Sequence, residues 1–325
     1  MANYKEIHGI KVQYRDSDAT AVEGDVWYNS AQGTLKMYAA LESWATKANL
    51  NTAKNVRQTF GTTTAAVATG GNSPHVALTE EFDGSSWTEV TDYPAIQSGG
   101  RGVGTLTAGL VFGGDGGPPS PPYSTLCNEY DGTNWTSGGA LNTGRTGMGN
   151  AGTQTAALSA GGGTYPTVQA VVEEYNGSSW SEVTNIPGAK KEIAGNGSQT
   201  SAIISGGNPG HITTAFTYDG TNWSSAPALN TGRAGAGGGG ASNTSGLVFG
   251  GSTPGNTAIT EQFDGSSWTE VADLSTPRYG IGGLAQNPNT AQLAIAGGHG
   301  GAEPNYSNQT EEWTAAATIE TISFD

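Results

Sequence analysis

One cysteine, Cys127, stands in 325 residues. That count excludes an internal disulfide framework and any cysteine-rich metal site. Cations are scarce too: 13 Lys and Arg against 28 Asp and Glu give a net charge of -15. Phosphate binding needs a basic face, so nucleic acid is not an expected partner, and neither is an anionic membrane surface. No apolar run is long enough to span a bilayer, so membrane insertion is not expected. The opening MANYKEIHGIKVQY carries charges where a secretory leader needs an apolar core, which argues against export by that route. The four histidines, His8, His75, His211 and His299, fall in different segments without ligand spacing, so no metal or cofactor is expected.

Glycine is abundant, 52 residues, and it is not scattered. An apolar stretch ending in a Gly pair is followed by an acidic stretch ending in an aromatic, then Asp/Asn-Gly, then Trp. Examples are TAAVATGG…TEEFDGSSW, TAGLVFGG…CNEYDGTNW and TSGLVFGG…TEQFDGSSW, and six near-copies run down the chain. The tryptophans Trp44, Trp87, Trp135, Trp180, Trp223 and Trp268 are spaced by 43, 48, 45, 43 and 45 residues. Such a period, with about four short strands per unit, marks a β-propeller blade.

In one unit, KNVRQTFGTTT begins the innermost strand a, AAVATGG is strand b, ALTEEF is strand c, and Trp87 opens the outer strand d. The Gly70-Gly71 pair, repeated at Gly113-Gly114, lets the backbone leave strand b and approach the neighbouring blade closely. Asp83-Gly84 starts a tight turn, because glycine tolerates positive φ. The pairs Phe82/Trp87, Tyr130/Trp135, Tyr175/Trp180, Tyr218/Trp223 and Phe263/Trp268 are expected at the seams between blades. Burying one Trp ring removes roughly 150–250 Å² from water, worth about 4–6 kcal/mol before entropy.

These residues resemble the kelch repeat over about 50–325, which implies an all-β, kelch-type β-propeller. Six full repeats plus an N-terminal meander favour seven blades, with Trp44 heading strand d of a preceding blade and IKVQYR (10–15) as the seventh inner strand. Six blades with the meander as a separate module is the alternative. The expected organisation is an anchoring arm (1–24) and a propeller (25–325), the latter divided into a meander (25–48) and the repeats (49–325). The N-terminal GDVWYNSAQGTLKMY is similar to a meander of phage fibre proteins. The whole chain resembles kelch-like virion structural proteins of marine tailed phages. That resemblance implies a tail fibre, appendage or head decoration protein on the virion, held to other virion proteins through the arm.

Eight basic residues from residue 50 onward stand at the d-to-a junctions or the start of strand a: Lys54, Arg57, Arg101, Arg145, Lys190, Lys191, Arg233 and Arg278. Two readings are open. They ring one channel mouth as an anion site for acidic glycans, with Arg101, Arg145, Arg233 and Arg278 the candidates. Otherwise they pair with strand-c carboxylates (Glu80, Glu129, Glu173, Glu261, Glu311) and staple blades together. The b-to-c loops on that same face vary strongly between repeats, and variable loops on a constant scaffold carry specificity. His75, Tyr123, Tyr165, His211, His299 and Tyr306 stand there, and aromatic rings suit stacking on sugars. Cys127 lies within strand c, where a small buried side chain rather than a copper-site crosslink is expected. The expected function is therefore non-enzymatic: a virion structural protein binding a host-surface glycan through the b–c loop face. The alternatives are a purely structural subunit, including a homo-oligomer, and a sialidase-like glycan hydrolase.

Overall fold

The computed structural model describes residues 12–17, 25–72, 75–116, 123–164, 166–298 and 306–322, apart from the side chains of 38–41 and 316–321. The described residues are all-β, without a helix. Two compact units divide the chain: 1–43 with 314–325, and 44–313. The division falls at 43/44. Strands Thr34–Thr46 and Tyr306–Ile322 run through it, and each part is described with its own unit.

Unit 44–313 repeats one plan of four antiparallel strands, a to d from the axis outward. Blade 1 is Gln58–Thr62, Ala65–Thr69, Thr79–Phe82 and Trp87–Glu89. Blade 2 is Arg101–Thr105, Ala108–Phe112, Cys127–Tyr130 and Trp135–Ser137. Blade 3 is Gly149–Thr153, Ala156–Ala160, Val172–Tyr175 and Trp180–Val183. Blade 4 is Ala194–Ser198, Ser201–Ser205, Ala215–Tyr218 and Trp223–Ala226. Blade 5 is Gly237–Ser242, Ser245–Phe249, Thr260–Phe263 and Trp268–Val271. Strand b is buried along nearly its whole length in each, so small and apolar residues occupy both of its faces.

The sixth blade is assembled from both ends of this unit. Residues 280–285 lie at the a position, joined to Ala291–Gly298 by bridges at Tyr279↔Gly298 and Gly282↔Ile295. Strand Tyr306–Ile322 follows, and the end of Thr34–Thr46, carrying Trp44, is the outer strand. Trp313 takes the Phe/Tyr place of the other blades, and Trp44 takes the Trp place, their rings 5.5 Å apart. Trp44 also packs edge-on against Phe249 of blade 5 at 5.0 Å, and its Nε1 donates to Thr260 Oγ1 at 3.1 Å. Trp44 therefore completes the last repeat instead of heading a blade before the first. The 13–15 segment, expected as a seventh inner strand, pairs in parallel with Val26–Asn29 in the other unit.

Backbone hydrogen bonds trace the ring. The second glycine after strand b donates to the first residue of the next blade: Gly71 to Gln97 O, Gly114 to Arg145 O, Gly162 to Lys190 O, Gly207 to Arg233 O and Gly251 to Arg278 O, each 2.8 Å. Gly297 N then reaches Lys54 O at 3.3 Å and brings blade 6 back to blade 1. The pair must be small. Gly70 has φ 63, and a Cβ there would stand 2.5 Å from Gln97 O. In blade 6 the turn falls one residue earlier than expected, on Ala296 (φ 54) and Gly297 (φ 110).

Aromatic rings meet across the seams. Trp180 of blade 3 meets Phe112 of blade 2 at 4.8 Å, and Trp135 of blade 2 meets Phe60 of blade 1 at 6.2 Å. A second tie crosses the seams. The hydroxyls of Tyr130, Tyr175 and Tyr218 donate to Glu81, Glu129 and Glu174 of the preceding blades at 2.6, 2.8 and 2.8 Å.

Unit 1–43 with 314–325 holds Gln13–Arg15 beside Val26–Asn29, which pairs antiparallel with Thr34–Thr46. Trp27 is fully buried, with the Arg15 guanidinium 5.2 Å from its ring and in turn paired to Asp25 at 2.7 Å.

Candidate functional site

The d-to-a junctions show how the basic series is used. Arg145, Arg233 and Arg278 are fully buried and ion-paired with Glu173, Glu261 and Glu311, the last at 2.5 Å. Lys54 pairs with Glu80 at 3.4 Å, both about 1 % exposed. Each glutamate also accepts a backbone N–H from the junction: Asn51, Asn142, Asn230 and Ser275, at 2.6, 2.7, 2.7 and 2.8 Å. This accounts for the recurring Leu-Asn-Thr junction, since Asn142 and Asn230 also donate Nδ2 to the same carboxylates. Burial pulls the pKa of all three arginines down, while the partner glutamate pulls it back up.

These are enclosed staples, the second of the two sequence readings, with two corrections. Each pair lies within one blade, fastening the incoming junction to strand c, so it does not join two blades. Glu129 is not a partner to a base, because its carboxylate takes the Tyr175 hydroxyl.

Two blades depart from the scheme. In blade 4, Lys190 has no carboxylate opposite. Its Nζ donates to Thr214 O and Oγ1 at 3.1 and 2.9 Å and sits 4.7 Å from the Phe216 ring, and burial lowers its pKa to about 8. In blade 2, Gln97 stands at the basic slot and Asn128 at the acidic one. Asn128 donates to Tyr93 OH at 2.7 Å, whereas the buried Gln97 amide has no hydrogen-bond partner.

Beside that exception a groove of about 280 Å³ opens. Ala95, Ile96 and Gln97 of the d-to-a junction line one side, and Gly116 and 123–126 of the b–c loop line the other. Ile96 and Leu126 are 53 % and 45 % exposed, against a buried background elsewhere in the repeats. Of the loop candidates, half-buried Tyr123 lies in this lining. His75 is half-buried in the blade 1 loop, and Tyr306 is half-buried at the start of its strand. His211 (φ 53) stands in the blade 4 loop, its Nε2 3.4 Å from Ser252 Oγ of blade 5. Tyr165 and His299 lie outside the described residues.

The structure does not bring these loop residues together into one cluster, and Arg101 lies apart from them on the inner strand of blade 2. Ile96, Leu126 and Gln97 were missed. The signal was available in Gln97, a neutral residue where the other blades carry Lys or Arg. Cys127 is buried and its thiol is pushed up to about 12 by that burial, so it is neither a nucleophile nor a thiolate ligand near neutral pH. Among the described residues, no group of three or more His, Cys, Asp or Glu is placed to hold a metal ion.

With this geometry, unit 44–313 is a β-propeller. Comparison with solved structures agrees: the chain is similar to the protein in "Structure of YjhT", with a TM-score of 0.67 and 14% identity over 84% of this chain and 98% of that one. At that identity the likeness concerns the fold alone. No family model matches the sequence. No curated protein matches it either.

Proposed function

We propose that this chain is a non-catalytic virion structural protein, a tail fibre, appendage or head decoration, that binds a host-surface glycan through its b–c loop face. The observation that carries the binding reading is the groove between the blade 2 junction and loop, with two exposed aliphatic side chains and Tyr123 on its lining. A pyranose ring presents an apolar face to such a surface and hydroxyls to its Ser124 and Thr125. The ligand is an uncharged sugar. Of the basic candidates for an acidic glycan, Arg145, Arg233 and Arg278 are neutralised inside their staples, Arg101 is bound to backbone carbonyls on the inner strand, and no cation stands in the described lining. Sialidase-like hydrolysis calls for an Arg cluster beside a Tyr/Glu nucleophile pair, and the described lining holds neither Arg nor Glu. The virion setting follows from the N-terminal resemblance. Of the 1–24 arm that would attach to other virion proteins, only 12–17 are described.

A glycan array with the purified chain tests the binding reading. Binding to at least one neutral glycan is expected, with loss on Tyr123→Ala at an unchanged circular dichroism spectrum. An array without hits, together with self-association abolished by Ile96→Asp and Leu126→Asp, would favour the purely structural subunit, since exposed aliphatics also suit a protein contact.

A further inference from the structure

Two guanidinium groups at the centre of the ring are not used by the staples. Arg57 and Arg101 line one small cavity on the axis, with Asn150, Ile193 and backbone of the inner strands. Neither follows the blade pattern. At the Arg57 place the other blades carry Gly100, Met148, Ile193, Ala236 and Ile281. At the Arg101 place they carry Gln58, Gly149, Ala194, Gly237 and Gly282.

Arg101 reaches across the next two blades, donating Nε to Met148 O at 2.5 Å and Nη2 to Ile193 O at 3.0 Å. No carboxylate pairs with it among the described residues. Burial, then the charge of Arg57, lowers its pKa to about 9. The Arg57 side chain is 9% exposed, and its Nε has no partner. Its ion pair with Glu192 Oε1 is long, 4.0 Å, and the other oxygen of that carboxylate accepts from Asn208 Nδ2 at 2.8 Å.

Glu192 is itself out of pattern. Its φ of 57 occupies the left-handed slot that Gly99, Gly147, Gly235 and Gly280 fill in four other blades. The two enclosed positive charges thus share one long ion pair, that of Arg57 with Glu192, while Arg101 has no carboxylate partner among the described residues. An enclosed charge left unpaired is among the most costly arrangements a fold can carry.

We propose that the axial cavity binds one small monovalent anion, of halide size, between the guanidinium groups of Arg57 and Arg101. The space admits a single water-sized particle, about 10 Å³ for its centre, so the class is limited to the smallest anions. The site stands independently of the loop face, and glycan binding can fail without affecting it.

A crystal soaked in bromide should show an anomalous peak between the two arginines. In solution, the melting temperature should rise with bromide or chloride concentration relative to sodium gluconate at matched ionic strength. That rise should vanish in Arg57→Gln, which leaves the carbonyl bonds of Arg101 in place. Absence of the bromide peak would overturn the proposal, and so would an unchanged halide response in folded Arg57→Gln. Should that variant fail to fold, the bromide map decides alone.

Discussion

Small substitutions within the repeat have legible chemical consequences. The indole Nε1 of Trp87 donates to Thr310 Oγ1, and that of Trp44 to Thr260 Oγ1, both at 3.1 Å and both across a seam. The residue just before the acidic position of strand c supplies the acceptor in each case. Blade 2 has Cys127 there, so the buried Trp180 Nε1 faces a sulfur and finds no oxygen acceptor. A thiol is a weak acceptor. Cys127→Thr should supply the missing oxygen and raise stability by about 1 kcal/mol, read from the urea midpoint. A lowered midpoint would show that the extra methyl does not fit.

Lys190 makes a complementary case with a pH signature. Its pKa falls from 10.5 unfolded to about 8 folded, because burial disfavours the ammonium. Below about pH 8 both states hold the proton and the penalty is fully present. Between about 8 and 10.5 only the unfolded chain holds it, so stability rises with pH. The melting temperature of Lys190→Met relative to the parent should therefore be more favourable at pH 7 than at pH 10. A difference independent of pH would refute the buried-ammonium reading. Neither residue stood out from sequence. Cys127 read only as buried and Lys190 only as one of a basic series, because the partners they lack come from other strands.

At the level of the blade, strand and turn positions were legible almost throughout. Local chemistry dictates them: Asp-Gly turns, Gly pairs, and the aromatic before each Trp. The glutamates were assigned less well. Strand c of blade 3 presents Glu173 and Glu174 on opposite faces, so one reaches the Arg145 staple and the other the Tyr218 hydroxyl of the next blade. Sequence periodicity alone cannot tell these two roles apart, since both recur once per blade.

The pattern of substitution does separate them. Tyr218 has Glu174 across its seam, whereas Phe263 takes the aromatic place in blade 5 and the preceding blade carries Thr217 at the matching position. The staple has an equally clear test. Arg145→Met leaves Glu173 enclosed with its charge uncompensated and should cost about 3–5 kcal/mol. Arg145→Gln with Glu173→Asn installs the neutral residues of blade 2 and should cost much less than the single change. Denaturant unfolding of the two variants measures the difference. Equal losses in both would show that the ion pair carries no special burden.

For the propeller unit, the decisive fact is which chain end completes which blade. Trp44 is legible as the head of an outer strand, because its junction SWATKANLNT matches NWTSGGALNT. Its blade was not legible, since nothing near residue 44 records that Trp313, 269 residues later by number, occupies the matching aromatic place. Only the closed ring pairs them. The outer strand of blade 6 thus comes from before the first repeat, and a ring closed this way should depend on it. A fragment covering 44–313 should melt cooperatively. A fragment covering 50–313 lacks the ring that packs on Trp313 and Phe249, and it leaves the strand beginning at Tyr306 with an open edge. It should melt well below the first fragment or aggregate. A peptide of residues 34–49 added in excess should restore part of the loss, because anything that binds only the folded state stabilises it by mass action. If both fragments melt alike and the peptide has no effect, the ring does not need Trp44 to close.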